Sequence, residues 1–220
     1  MTSYLKTVYS SKERPKTSYP KKYVKHLIER YNLTTGSRLI EIGAGRGEFL
    51  NEFAIQGFDV IGIDQDQNCL SEYPHIPKII SDLHTALKEL PNTSCDIVFM
   101  KSLIEHLRDP EEVLQQVHRI LRSKGALIVM TPDWEANYQI FYDDHTHVTP
   151  FTKISLKYLL QMTKFSKIDV NHFLQLPFIW KNPIFSIIPI CLAPFIPHRS
   201  RYKLLRWSKE RQLLAFAQKP

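Results

Sequence analysis

Glu41-Ile42-Gly43-Ala44-Gly45-Arg46-Gly47 holds three of the chain's seven glycines within five residues. It closes the apolar segment Arg38-Leu39-Ile40 and opens the helical pattern Glu48-Phe49-Leu50-Asn51-Glu52-Phe53. A chain this poor in glycine spends it where a side chain would obstruct. Strand, glycine turn and helix together bring bare backbone and a helix N-terminus up to a nucleotide-like ligand. The register decides which kind. A dinucleotide fingerprint, G-x-G-x-x-G, counted from Gly43 finds Gly45 in place but Glu48 at its last position, where a carboxylate would repel a pyrophosphate.

What stands here is E-x-G-x-G-x-G, which resembles motif I of the class I S-adenosylmethionine (AdoMet)-dependent methyltransferases. That ligand carries a sulfonium and an ammonium and no phosphate, so nearby carboxylates attract it. The resemblance implies that Glu41 organises the amino-acid end and that Gly43, Ala44 and Gly45 let the backbone approach. Downstream, Phe58-Asp59-Val60-Ile61-Gly62-Ile63-Asp64 reads as a second buried strand ending in an acid, 17 residues beyond Gly47. Near that separation a βαβ unit presents a carboxylate to ribose hydroxyls. By the same resemblance Asp64 and Gln65 bind the ribose side. Asp82 and Leu83 stand beside the adenine, and Met100 and Lys101 follow the fourth strand.

The remainder alternates as a doubly wound, mostly parallel seven-stranded sheet should, with an antiparallel last strand. A helix over about 17–31 precedes the motif I strand. A short helix after Asp64 leads to a third strand, Pro77–Asp82, and Asp96–Met100 is a fourth. Asp109 and Pro110 then supply an N-cap and an N1 proline for a helix that runs to Lys124-Gly125. Ala126–Met130 is a fifth strand, Thr152–Phe165 a helix, Ser166–Leu176 a sixth strand and Arg211–Ala217 the last. At 220 residues one domain, 1–220, is expected. No apolar run follows the early basic residues, so no signal peptide is expected. Three scattered cysteines match no metal or disulfide spacing and suggest a reduced, cytoplasmic setting.

Two segments carry the acceptor chemistry. Leu103-Ile104-Glu105-His106-Leu107 resembles the Glu-His-Leu stretch of small-molecule members of the family; the plainer alternative is a turn-capping His106 and a Glu105–Arg108 pair. Tyr142-Asp143-Asp144-His145-Thr146-His147-Val148-Thr149-Pro150-Phe151-Thr152 is similar to the D-x-T-H-V-x-P-F-T segment of sugar-modifying methyltransferases, with His145 departing where proline is common. A hydroxyl is a poor nucleophile until it loses its proton, and a neutral histidine can take that proton. His147 is the expected base and His106 the second choice. A histidine that only fixes the loop through backbone is the alternative for His147. No metal is expected, although Asp143, Asp144, His145 and His147 form a conceivable ligand set. The resemblance of this loop implies O-methylation of a sugar or glycan-type acceptor. A quinone or polyketide-like hydroxyl, or a noncatalytic AdoMet-binding partner of a membrane enzyme complex, are the competing functions.

Between the last two strands lies an insertion, 177–208, which includes Pro183–Pro197, an apolar run broken by four prolines and too short to span a bilayer. Basic residues follow it. Residues 1–38 carry nine basic against two acidic side chains, and residues 151–220 carry twelve against two. The central 39–150 is net −10. Residues 1–30 thus read as a basic helical extension, and 178–206 as a peripheral membrane contact, a substrate lid or a dimer surface. Nucleic acid is not an expected partner, since no RNA-binding module is present.

Overall fold

The computed structural model describes residues 15–181 and 183–220 except 193, 194, 198 and 201, together with Leu5 and Thr7. Its core is a seven-stranded sheet in the order β3-β2-β1-β4-β5-β7-β6. The strands are β1 (Arg38–Ile42), β2 (Asp59–Asp64), β3 (Lys78–Ile80), β4 (Cys95–Lys101), β5 (Leu121–Pro132), β6 (Ser166–Leu174) and β7 (Arg211–Gln218). The first five run parallel; β7 lies antiparallel between β5 and β6. The expected fold class holds.

Helices cover both faces, and a single helical turn, α5 (Trp134–Asn137), follows β5. On one, α4 (Pro110–Ile120) and α6 (Lys153–Met162) bury Val113, Leu114, Val117, Leu156 and Leu160 with Ile40 and Ile42 of β1. On the other, α1 (Tyr19–Tyr31) and α2 (Glu48–Ile55) bury Tyr23, Leu27, Leu50 and Phe53 with Leu39. The period-two alternation of a strand therefore turns Glu41 toward the α2 side, into the interior. Helix starts follow local chemistry: Asp109 accepts from the Glu112 amide at 3.0 Å, and Thr152 and Ser155 form a reciprocal capping box.

Several boundaries differ from expectation. No helix joins Asp64 to Pro77; the segment is a series of turns, with Leu70 in the left-handed region at φ 54°. That conformation tucks the Leu70 side chain against Gly47 and Gly62 and interrupts helical propagation. Helix α4 stops at Ile120 rather than Gly125, because Leu121 is fully buried and pairs with Cys95 as the start of β5. A helix that the pattern did not announce, α3 (Leu83–Glu89), begins at Asp82. The insertion folds as short helices, among them α7 (Pro177–Lys181), α8 (Ile187–Leu192) and α9 (Lys203–Lys209). The expectation for residues 1–14 falls outside the described residues, apart from Leu5 and Thr7.

Candidate active site

Strand order reverses between β1 and β4, and a doubly wound sheet leaves its ligand crevice at that switch point, beyond the strand carboxyl ends. The glycine turn stands there. Gly43, Gly45 and Gly47 all have positive φ (75°, 52° and 81°). Two of them serve different ends. A Cβ on Gly47 would run into Leu70, so this glycine is needed for packing; one on Gly45 would meet no side chain closer than Leu5, at 3.5 Å. Gly45 is left bare toward the crevice. Gly43 and Ala44 instead turn inward, both amides donating to the Ile63 carbonyl of β2.

Glu41 is buried, and its carboxylate receives the Leu50 amide from the first turn of α2, while Oε2 has no hydrogen-bond partner. Burial raises its pKa well above the ordinary carboxylate range, opposed by the Lys101 charge. A buried carboxylate oxygen without a partner is costly unless a ligand supplies one, and an ammonium group is the natural complement. The residues present therefore fit AdoMet at its amino-acid end. Lys101 lies over the Phe49 ring at 5.0 Å.

The other expected cofactor residues divide. Asp64 ends β2 and accepts from the Gly45 and Asp66 amides, each at 2.8 Å, so it braces the turn. Gln65 follows it and is exposed. Asp82 is exposed and caps α3; the Thr85 hydroxyl and then the Thr85 amide, at 3.0 Å, donate to its carboxyl and hold it below the usual range. Leu83 is half-buried against the core as the first residue of that helix. Met100 is fully buried, its side chain spent on the core, so only its backbone is left for a ligand.

Forty-one residues apart in sequence, His106 and His147 meet with ring centroids 4.7 Å apart. His147 Nδ1 lies 2.6 Å from the Phe141 carbonyl, which only accepts, so Nδ1 carries the proton and Nε2 is the basic nitrogen. His106 is set by a relay. Thr146 donates its hydroxyl to Asp144 at 2.6 Å and thereby accepts from His106 Nδ1 at 2.8 Å. Burial, then the neighbouring His147, holds the His106 pKa below its ordinary value, which keeps the ring neutral. Loop anchoring thus engages Nδ1 of His147 and leaves the ring's lone pair on Nε2.

Beneath the pair lies Glu105, fully buried, with Oε2 accepting from Thr131 at 2.9 Å and Oε1 unpartnered; burial pushes its pKa up to about 7. In place of the alternative Glu105–Arg108 pair stands this contact with β5. The loop set of Asp143, Asp144, His145 and His147 does not assemble: Asp143 pairs with Arg199, Asp144 holds Thr146, and His145 is exposed. Among the described residues, Glu105, His106 and His147 instead bring three potential ligand atoms within 4.8 Å of one another. Two imidazoles and a carboxylate are a donor set that suits divalent cations. Sequence alone showed nothing of the Thr131 contact or of the link from Thr146 to His106, since both depend on segments brought together by the fold.

A sequence profile described as a methyltransferase domain matches residues 16–170. A probable S-adenosylmethionine-dependent methyltransferase of Mycobacterium tuberculosis is 32% identical over 103 residues, 45% of this chain and 37% of its own length. A ubiquinone biosynthesis O-methyltransferase of Aliivibrio fischeri is 25% identical over 48% of each protein. The chain thus spans less than half the length of these relatives. A SAM-dependent methyltransferase from Archaeoglobus fulgidus shares the fold with a TM-score of 0.69 at 21% identity, covering 96% of this chain and 98% of that one. Phosphoethanolamine N-methyltransferase 2 of Haemonchus contortus, in complex with phosphomonomethylethanolamine and S-adenosylhomocysteine, gives 0.65 at 17% identity, covering all of this chain and 61% of that one. The profile runs through both the glycine turn and the paired histidines, and the chain belongs to the family it describes, the class I S-adenosylmethionine-dependent methyltransferases.

Proposed function

We propose that this protein methylates a hydroxyl oxygen of a sugar or glycan-type acceptor, with His147 taking the proton and His106 as the second base. The observation that carries this is the imidazole pair with both Nδ1 protons engaged by protein acceptors, which leaves Nε2 as the proton-accepting position of each ring. Glu41, the Gly43–Gly45 backbone and Asp64 would hold the donor. Bound AdoMet supplies an electrophilic methyl carbon on sulfur. The protein's own contribution is to align the acceptor oxygen with that carbon and to remove its proton as the bond forms. The Asp144–Thr146 relay fixes the His106 ring, and the Phe141 carbonyl fixes the His147 ring, so neither rotates during the reaction.

Calorimetry with AdoMet and S-adenosylhomocysteine, then mass spectrometry of acceptor pools supplied with methyl-labelled AdoMet, tests the reading. His147→Ala should leave cofactor affinity within about twofold while lowering turnover by about 10²–10⁴. Unchanged turnover eliminates His147 as the base, and turnover lost only in His106→Ala moves the assignment there. Label found on a phenolic ring and on no sugar would favour a quinone-type acceptor, the reading that the Aliivibrio relative supports.

A further inference from the structure

The sequence puts positive charge at both ends of the chain and negative charge between them. The fold brings the two basic ends together. Helix α1, with Lys21, Lys22 and Lys25 exposed, packs against α7 at the start of the insertion. Lys22, Lys25, His26, Glu29, Phe178 and Trp180 line one cleft of about 310 Å³ there, with Lys25 paired to Glu29 one helical turn on. Trp180 is anchored by its indole N–H to the Leu174 carbonyl and stacks on Phe173, so the base of the insertion is held firmly on the core.

Beyond that anchor the insertion exposes large apolar side chains in close succession: Phe178, Ile184, Phe185, Ile187 and Phe195, with Phe195 85% and Ile184 72% exposed. Burying such groups in water-excluding surroundings is favourable, and a soluble surface seldom concentrates them in one segment. Among the described residues no helix is long and apolar enough to cross a membrane. Short, proline-interrupted helices with aromatic tips and a lysine border have the composition of an element that lies in a bilayer interface. Protein interfaces, by contrast, are depleted of lysine.

We propose that the surface formed by α1 and the insertion docks on an anionic lipid bilayer. The apolar side chains enter the headgroup region, and the lysines meet lipid phosphates. This inference does not depend on the identity of the acceptor. The insertion also touches the histidine loop: Arg199 pairs with Asp143 at 2.7 Å and donates toward the Gln139 carbonyl, in the loop whose Phe141 carbonyl holds His147.

Flotation of the full chain with phosphatidylcholine vesicles, with and without phosphatidylglycerol, tests the docking. The protein should float several-fold more with the anionic vesicles, and high salt should reduce the difference. The double variant Phe185→Ser/Phe195→Ser should lower the bound fraction by about tenfold or more, and Lys22→Glu/Lys25→Glu should abolish the anionic preference. Unchanged AdoMet affinity, measured by calorimetry, confirms that each variant is folded. Protein that stays at the bottom with both vesicle types overturns the proposal, as does flotation indifferent to the phenylalanines. A dimer in sedimentation velocity that Phe185→Ser/Phe195→Ser dissociates, without vesicle binding, would also overturn it and assign the surface to a second copy.

Discussion

Glu41 and Glu105 are two buried acids with an unpartnered oxygen each, and their chemistry differs because their surroundings do. Burial favours the protonated form of Glu41 and an arriving cation favours its carboxylate, so AdoMet binding should release protons to buffer. Calorimetry in buffers of unequal ionisation enthalpy measures that release; Glu41→Gln should remove it and weaken binding at least tenfold. Equal proton release in wild type and variant would refute the assignment. Glu105, with a folded pKa of about 7 against an ordinary value near 4.5, binds its proton more tightly in the native state. Its contribution to stability is therefore complete below about pH 4.5 and lost as pH rises through about 7, on the order of 3 kcal/mol. Denaturant unfolding of wild type and Glu105→Gln should give curves that converge in the opposite sense to acid unfolding: the wild type loses ground with rising pH over that window, and the variant does not. Parallel pH profiles would contradict it. The acid Glu41 was legible in sequence because its motif is local. Glu105 could be singled out there, but not its burial, since Thr131 reaches it from a strand 26 residues on.

At the level of elements, the turn between β1 and α2 separates two demands on glycine. Gly45→Ala introduces a side chain at φ 52° at ordinary contact distance from Leu5, so it should cost about 1–2 kcal/mol of stability and a larger fraction of AdoMet affinity. Gly47→Ala drives a methyl group into Leu70 and should mainly destabilise, by about 2–4 kcal/mol. Thermal melts set beside AdoMet affinities separate the two; equal loss of stability in both variants would refute the distinction. The elements themselves were readable where chemistry is local: the Asp109-Pro110 start of α4 and the Thr152 cap of α6 stand where expected. They failed where tertiary pairing outbid local pattern. Leu121 joins the sheet because Cys95 pairs with it, and Leu70 breaks the anticipated helix because two glycines offer it a socket.

Across the molecule, charge and apolar surface are distributed in a way no single segment shows. Basic ends 1–38 and 151–220 are distant in sequence, yet α1 and α7 pack together and give one cationic, aromatic side. The antiparallel β7, held between β5 and β6, carries the chain past the insertion and back into the core. By itself the amino-acid order determined the sheet class, the glycine turn and the ligand type, because strand alternation, positive-φ glycines and a carboxylate without phosphate partners are properties of neighbours in the chain. Tertiary structure alone decided what the acids and histidines can do. Which nitrogen of His147 is basic, which carboxylates are starved of partners, and which basic segments meet are set by contacts across tens of residues; hydrogen bonding and desolvation act through space, not along the sequence.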